Sequence, residues 1–288
     1  MKRESYLPYL WMICGSVSFA LMSTQTHALR DSCDWRVIAS ARAGLALVFA
    51  VVLALATGVR IVVFRPRILW IRSLAGSLSL ICNFYAITRL PVAAVLTLTN
   101  MFPIWVALLS WPLERKRPSI LVWLSVACGV LGVFLIRPPE FHGEPFAVLA
   151  AVAASFFTAI AMLGLHRLHE VDPWAIVVHF SGVSLLFCLG SIFASGSDLP
   201  LPSFDDSRTL AMLLGIGLTA TVGQLFLTKA FTAGPPAKVA VVGLTQVVFA
   251  MVLEAVLLNR SYDPKSMAGM ALVMAPTAWL MVNRIDGA

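Results

Sequence analysis

The sequence predicts an all-α membrane protein, with ten transmembrane helices arranged as two inverted five-helix repeats. Hydrophobic residues make up 59% of the 288 residues and charged residues only 12%, whereas soluble domains carry about 25% charged residues. The apolar residues also come in blocks of about 20, the length of a helix that crosses a bilayer. Finally, the two halves of the chain resemble each other.

Ten apolar blocks are separated by connectors rich in Pro, Gly, Asp and Arg, which are typical of turns. The first block is long and has no clear small-residue cleavage site, so we assign it to the membrane rather than to a signal peptide. The predicted spans are Leu7–Ala28, Arg36–Gly58, Ile68–Thr88, Val92–Leu113, Ile120–Ile136, Pro145–Leu165, Pro173–Ala194, Leu210–Phe231, Ala237–Leu258 and Met267–Asn283.

The formal net charge of +7 comes from basic residues that lie mostly between the apolar blocks. This distribution favours anchoring at an anionic membrane surface over binding of nucleic acid. Lys and Arg are more frequent in the predicted inner segments than in the outer ones when both termini are placed inside. We therefore expect both termini to be cytoplasmic, in a plasma or bacterial inner membrane. The five cysteines show no paired spacing, which argues against a disulfide framework and a zinc site.

Two pairs of segments carry the internal repeat. "DWRVIASARAGLALVF" (34–49) matches "DPWAIVVHFSGVSLLF" (172–187) at an offset of 138 residues, which is 172 minus 34. "YAITRLPVAAV" (85–95) matches "KAFTAGPPAKV" (229–239) at an offset of 144, which is 229 minus 85. We expect residues 1–140 to form one repeat and 141–288 the other. Because five crossings is an odd number, the second repeat would enter the membrane from the opposite side, as in many secondary transporters.

The stretch "YAITRLPVAAVLTLTNMFPIWVALLSWPLERKRPS" resembles the EamA-type branch of the drug/metabolite transporter superfamily. Ala86, Pro103 and Glu114 stand in the places of that family's Ala…Pro…Glu pattern. The second copy departs from it, with Val247 and Arg260 at the places of the proline and the glutamate. The resemblance covers nearly the whole chain as two tandem units. It implies transport, often export, of a small polar or amphipathic metabolite, such as an amino acid or related compound, through a central cavity.

Polar side chains at membrane depth are costly, so each is a candidate for function. Those on helices three and four, and on their repeat partners eight and nine, could converge on one cavity. The alternative is hydrogen bonding between helices, or, for the two lysines of helices eight and nine, extension to the inner interface. The candidate substrate contacts are Asn83, Tyr85, Asn100, Gln224, Lys229 and Gln246.

Three further residues are candidates for coupling or gating. Pro103 removes a backbone donor, so helix four should bend near Asn100, either to shape a cavity or only to improve packing. Arg42 could contribute to the cavity, reach the outer interface, or pair with an aspartate near the start of its helix. Glu254 could bind a coupling proton, since burial raises a carboxyl pKa, or could instead reach the surface or pair with an arginine.

The leading hypothesis is a secondary active transporter that works by alternating access. The chain has no GxxxxGK[ST] motif for ATP, and we expect no cofactor, metal or catalytic site. The expected partners are a small-molecule substrate and the lipid bilayer, with no nucleic acid; a homodimer is left open. The alternative is an intramembrane enzyme acting on a lipid or prenyl substrate, although the sequence contains no HExxH, GxSxG or DDxxD motif.

Overall fold

The computed structural model describes residues 6–29, 33–87, 89–90, 92–114, 118–136, 145–194, 207–258 and 262–282. The regular secondary structure of these residues is α-helical. The helices are α1 Leu7–Leu29, α2 Trp35–Ala56, α3 Arg67–Ile87, α4 Val92–Thr99, α5 Phe102–Glu114, α6 Ile120–Ile136, α7 Pro145–His166, α8 Pro173–Ala194, α9 Ser207–Ala233, α10 Pro236–Gly243, α11 Thr245–Leu258 and α12 Pro264–Val282.

The outer surface of this bundle is apolar, with side chains such as Phe64, Phe146 and Phe193 at least 74% exposed. An apolar surface of this extent would cause aggregation in water, but it suits a hydrocarbon environment. Six spans in the described part of the chain are long and apolar enough to cross a bilayer, and α6 is a shorter apolar helix. The six are Leu7–Thr26, Trp35–Ala56, Pro145–His166, Pro173–Phe193, Ser207–Ala233 and Pro236–Val256. The protein is therefore an integral membrane protein.

Three helices begin after an aspartate that accepts a hydrogen bond from the first helical turn. Asp34 accepts from the backbone N–H of Arg36 and Asp172 from that of Trp174, each at 2.8 Å. Asp263 accepts from both the hydroxyl and the backbone N–H of Ser266, which holds the pKa of Asp263 below its usual range. Such caps satisfy N–H groups that lack a partner inside the helix. Asp34 and Asp172 are also 138 residues apart, so the cap recurs with the repeat.

The fourth predicted span is broken where Pro103 predicts a bend. The helix α4 ends at Thr99 and α5 begins at Phe102, with the N–H of Met101 bonding to the carbonyl of Leu98 at 3.2 Å. Pro103 is buried in the first turn of α5, where its missing N–H leaves no internal hydrogen bond unmade.

The ninth predicted span is also broken, which the sequence pattern does not predict because Val247 replaces the proline. The helix α10 ends at Gly243 and α11 begins at Thr245, with only Leu244 between them. The hydroxyl of Thr245 donates to the carbonyl of Val242 at 2.7 Å, and that of Ser16 in α1 donates to the carbonyl of Gly243 at 3.5 Å. These two hydroxyls donate to backbone carbonyls at the break. In a continuous helix, backbone N–H groups would bond to these carbonyls instead.

The largest helix–helix contacts pair α1 with α9, α3 with α7, α6 with α12 and α2 with α8. Each pair joins a helix of the first half to one of the second, so the core is shared. The pair α2 and α8 is reciprocal: Gly44 faces Leu185, and Gly182 faces Leu47, with virtual Cβ to Leu Cδ1 distances of 3.7 and 3.8 Å. Both residue pairs are related by the 138-residue offset, so a local two-fold axis passes between these helices.

Small residues allow the closest approach of helices in the bundle. A Cβ on Gly132 of α6 would lie 2.7 Å from the carbonyl oxygen of Gly269 in α12, and one on Gly269 would lie 2.6 Å from the carbonyl oxygen of Gly132. Only glycine fits at both positions, because the obstacle is backbone rather than a flexible side chain. Such contacts replace the hydrophobic effect, which does not drive association between helices in lipid.

Candidate functional site

A narrow cavity lies between α2, α3, α8 and α9, the helices next to the local two-fold axis. Its volume is about 10 Å³, which is room for about one water molecule. The residues that line it are Arg42, Ala43, Ala46, Leu80, Phe180, Ser181, Ser184, Ala220 and Gln224.

Eight of the nine lining residues, all except Ala220, occupy repeat-equivalent positions. Adding 138 to 42, 43 and 46 gives 180, 181 and 184, and adding 144 to 80 gives 224. We call Arg42, Ala43, Ala46 and Leu80 the first wall, and Phe180, Ser181, Ser184 and Gln224 the second wall. The cavity therefore lies on the pseudo-two-fold axis, and each half of the chain supplies one wall.

A second arginine lies directly behind the second wall. Arg72 in α3 is only 1% exposed, and its Nη2 donates to Oε1 of Gln224 at 3.2 Å. Its guanidinium carbon lies 3.8 Å from the centroid of the Phe180 ring, a distance suited to a cation–π interaction. Gly76 lies one turn after Arg72, and its lack of a side chain leaves room for the edge of that ring. Arg72 thus holds two side chains of the second wall.

Arg72 also retains unpaired donors. Its Nε and Nη1 are buried without a hydrogen-bond partner in the described part of the chain. Within the same residues, no hydrogen bond or ion pair joins Arg72 or Arg42 to a carboxylate. Two cations therefore lie beside the cavity, and the only described hydrogen bond of Arg72 is to a neutral amide.

His179, next to Phe180 in α8, is buried in a network of its own. Its Nε2 lies 3.1 Å from the carbonyl oxygen of Val63, and its Nδ1 lies 2.8 Å from the hydroxyl of Ser73. A carbonyl can only accept, so Nε2 carries the proton and Nδ1 accepts from Ser73 when the imidazole is neutral. The rings of Trp70 and His179 are nearly perpendicular, with centroids 4.7 Å apart. The network fixes His179 and leaves Arg72 as the adjacent cation.

Two of the candidates from the sequence, Gln224 and Arg42, line the cavity. Asn83 is half-buried near the end of α3, and its Oδ1 has no hydrogen-bond partner among the described residues. The ring of Tyr85 lies under the guanidinium of Arg89, at 4.1 Å. Asn83 and Tyr85 are not among the residues that line the cavity.

The other three candidate contacts also lie outside that lining. Asn100 is half-buried in the break between α4 and α5, and Gln246 is half-buried in the first turn of α11, beside the second break. Lys229 lies late in α9, where its Nζ is 5.9 Å from the centroid of the Trp11 ring. These three residues lie at the two broken helices and near the end of α9, and none of them lines the cavity on the pseudo-two-fold axis.

Glu254 is buried in α11. Its Oε2 accepts a hydrogen bond from the hydroxyl of Tyr262 at 2.9 Å. The two aspartates near the start of α2 with which Arg42 could pair are Asp31 and Asp34, and Asp31 lies outside the described residues. Asp34 caps α2 and lies near Arg36 rather than Arg42, with 3.6 Å between its Oδ1 and Nε of Arg36.

Sequence reasoning missed Arg72, Phe180 and the two serines of the second wall. The signal for Arg72 was present: it is a lone cation in the apolar block "LWIRSLAGSLSL", as Arg42 is in its own block. The repeat match could have indicated the others, since it aligns Phe180 with Arg42. Phenylalanine and serine are common in transmembrane packing, so their residue types alone gave no reason to select them.

A helical membrane protein with a cavity shared between two repeats has the architecture of a transporter. The sequence profile of the EamA-like transporter family matches this chain twice, over residues 7–137 and over residues 145–282. The chain belongs to this family, within the drug/metabolite transporter superfamily.

Relatives of known sequence include several transporters. The chain is 27% identical over 242 residues to the pseudopaline exporter CntI of Pseudomonas aeruginosa, covering 83% of this chain and 84% of that protein. It is 27% identical over 209 residues to an uncharacterized transporter of Helicobacter pylori, covering 70% and 69%. It is 23% identical over 241 residues to a riboflavin transporter of Rhizobium johnstonii, covering 80% and 76%.

A solved crystal structure shares the fold. It superposes with a TM-score of 0.79 over 97% of this chain and 98% of that chain, at 17% sequence identity. At this identity the likeness concerns the fold alone.

Proposed function

We propose that this protein is a secondary active transporter that carries a small polar or amphipathic metabolite by alternating access. The substrate class extends to amino acids and related compounds, and the direction we propose is export. The observation that carries the proposal is the position of the cavity on the pseudo-two-fold axis, with equivalent residues of the two halves forming its walls. A site shared in this way can open to either side when one half rocks against the other.

The proposed topology has ten crossings, with α4 and α5 forming one and α10 and α11 another. Residues 1–140 and 141–288 then form the two inverted repeats, and both termini lie in the cytoplasm. The antiparallel order of contacts supports this arrangement: Gly15 of α1 lies beside Leu227 of α9, and Gln25 lies beside Gly215. Reporter fusions at each end test the orientation, and opposite locations of the two ends would contradict it.

The cavity must widen before it admits a metabolite, because about 10 Å³ holds only about one water molecule. The two broken helices are candidates for the movement, since short non-helical links absorb changes in backbone angle. We assign Asn83, Tyr85, Asn100, Gln224, Lys229 and Gln246 to the substrate path, with Gln224 at its centre. Pro103, Arg42 and Glu254 are proposed to act in gating or coupling.

The names of the relatives support a transporter of organic solutes. One is named as a pseudopaline exporter and another as a riboflavin transporter, and we extend only the class of small organic solute to this chain. The alternative of an intramembrane enzyme is not favoured by these relatives. An enzyme would also need at least two titratable groups within hydrogen-bonding reach of each other. Glu254 and Tyr262 are such a pair, but neither of them lines the cavity.

Efflux from liposomes tests the proposal. The purified protein is reconstituted into vesicles loaded with amino acids, nucleosides, sugars and carboxylates, and the solutes released without ATP are measured by mass spectrometry. We expect a subset to leave only the vesicles that contain protein, and to leave faster when the same solute is outside, as in a carrier that exchanges.

Two glutamine variants make this test specific. Gln224→Ala should slow efflux by about tenfold, which corresponds to about 1.4 kcal/mol. Gln25→Ala is the matched control, because Gln25 is an amide between α1 and α9 that does not line the cavity. Release of no solute, or equal loss in both variants, would contradict the proposal. A solute of changed mass would support the enzyme instead.

A further inference from the structure

We propose that Arg42 and Arg72 form an anion site, and that the transported solute carries a carboxylate group which binds between them. The proposal rests on the proposed transport function and specifies its substrate class. Arg42 lies in the first wall, and Arg72 lies behind the second wall, in contact with Gln224 and Phe180. Both arginines belong to the first half of the chain, whereas Gln224 and Phe180 belong to the second.

The first argument is the direction of the hydrogen bonds. A guanidinium can only donate, so the oxygen of Gln224 must face Arg72. The amide NH₂ of Gln224 has no hydrogen-bond partner among the described residues and remains available to donate to a ligand. Arg42 is also a donor only, and Ser181 and Ser184 have hydroxyls that can donate. The surface now open to the cavity is apolar, so these groups would turn toward a ligand as the cavity widens. Ser184 can donate to it when Ser77 is the donor in the hydrogen bond that the two serines share. A set of groups that can each donate suits a ligand that only accepts.

The second argument is the unbalanced charge. Arg72 is almost fully buried, and two of its nitrogens have no partner in the part of the chain that the structure describes. A buried cation without a counter-charge is strongly unfavourable, and such groups in membranes are paired or mark a substrate path. The neighbouring His179 adds no acceptor toward Arg72, because its ring nitrogens are used by Ser73 and Val63. A bound anion would supply the missing charge.

The third argument concerns which anion fits. A carboxylate is planar and small, and it pairs with the edge of a guanidinium through two parallel hydrogen bonds. A phosphate is larger and tetrahedral, so it would displace more of the walls of a cavity that has room for about one water molecule. The ring of Phe180 and the two alanines of the first wall leave an apolar surface beside this site for the rest of the solute.

Binding to the purified full-length protein in detergent tests the site directly. The ligands are benzoate, glutamate and citrate, their neutral amides, and inorganic phosphate, all at one fixed chloride concentration. Isothermal titration and the shift in melting temperature are the two readouts. We expect at least one carboxylate to bind and to raise the melting temperature, while its amide does neither.

Arginine variants assign the effect to the site. Arg72→Met and Arg42→Gln should each weaken carboxylate binding by about tenfold or more. Arg72→Lys, which keeps the charge but not the planar fork, should weaken it less. Arg67→Gln is the matched control, because Arg67 begins the same helix and is exposed; it should bind as the parent does. Without ligand, Arg72→Met should melt about 2–4 °C higher, since it removes a buried unpaired charge.

The anion site is wrong if every carboxylate fails to bind, if amides bind as well as carboxylates, if phosphate alone binds, or if both arginine variants bind unchanged. Efflux from liposomes separates this result from the transport proposal. Carboxylate binding at the two arginines without movement of any solute would retain the site and remove the transport function. Transport of a neutral solute with no carboxylate binding would retain the transport function and remove the anion site.

Discussion

The wall that the first repeat contributes to the cavity differs from the wall of the second, although each residue of one has an equivalent in the other. The first wall holds a single polar group, Arg42, among alanines and a leucine, whereas the second holds an aromatic ring, two hydroxyls and an amide. The backbone around the axis is thus symmetric while the chemistry is not. This comparison of the two walls indicates that the repeat determines the position of the cavity. The residues that differ between the two copies determine what the cavity can bind.

The largest effect should come from making the second wall resemble the first at one position. Gln224→Leu introduces the residue of the equivalent position, Leu80, and removes the only described hydrogen bond of Arg72. We expect a loss of about 2–3 kcal/mol in the free energy of unfolding, because the partner left behind is charged and buried. Leu80→Gln, the opposite exchange, should cost less than half as much. Equal costs would show that Arg72 does not depend on this amide.

The second effect concerns the axis itself. Gly44→Leu and Gly182→Leu each add a side chain that meets the leucine of the other half. Both should destabilise the protein by about 2 kcal/mol through overpacking, and by similar amounts because the contacts are reciprocal. Thermal unfolding of the two variants in the same detergent measures this. A large effect in only one of them would disprove the local symmetry of α2 and α8.

A smaller effect is expected at the aromatic ring of the second wall. Phe180→Leu removes the face on which the Arg72 guanidinium lies, which should cost about 1 kcal/mol. Phe193→Leu is the control, because Phe193 lies on the same helix and is 82% exposed. Unfolding in a denaturing detergent compares them. If both lose the same stability, the ring contributes no interaction with Arg72.

The serine hydroxyls of the second wall should contribute less to stability than the Phe180 ring. Ser184 Oγ lies 3.1 Å from Ser77 Oγ, so the two serines join the second wall to α3. Ser184→Ala should cost about 0.6 kcal/mol, the average for a hydrogen bond between transmembrane helices. Its equivalent in the first wall is already alanine, Ala46, and Ala46→Ser should change stability by less. A loss above the cost of Phe180→Leu would mean that the hydroxyl has a further buried partner.

The smallest effect is expected at the proline that distinguishes the two broken helices. Pro103→Val introduces the residue of the equivalent position, Val247, and should change the free energy of unfolding by less than about 0.5 kcal/mol, since proline is favourable rather than required in a first helical turn. The break should persist, as it does between α10 and α11 without a proline. Spin-label distances across Asn100 measure it, and a continuous helix in the variant would show that Pro103 causes the break.

Much of the architecture could be predicted because it depends on local composition. Apolar blocks of bilayer length indicate membrane helices wherever they occur, and the match of "DWRVIASARAGLALVF" to "DPWAIVVHFSGVSLLF" indicates a repeat before any contact is known. The bend near Asn100 was predicted because proline lacks an N–H in any context. The break at Leu244 was not, since it depends on donors from Thr245 and from Ser16, which is 227 residues away.

The sequence by itself determined that this chain is a membrane protein of two related halves. It also identified Gln224 and Arg42 as candidate site residues, because a polar side chain within the membrane is costly whatever the fold. Only the tertiary structure decided which polar groups meet. It brought Arg72 of one half to Gln224 and Phe180 of the other, and it gathered equivalent positions of both halves around one axis. These contacts depend on how helices distant in the chain pack together, and packing in lipid is selected by close fit and hydrogen bonds rather than by hydrophobic pattern.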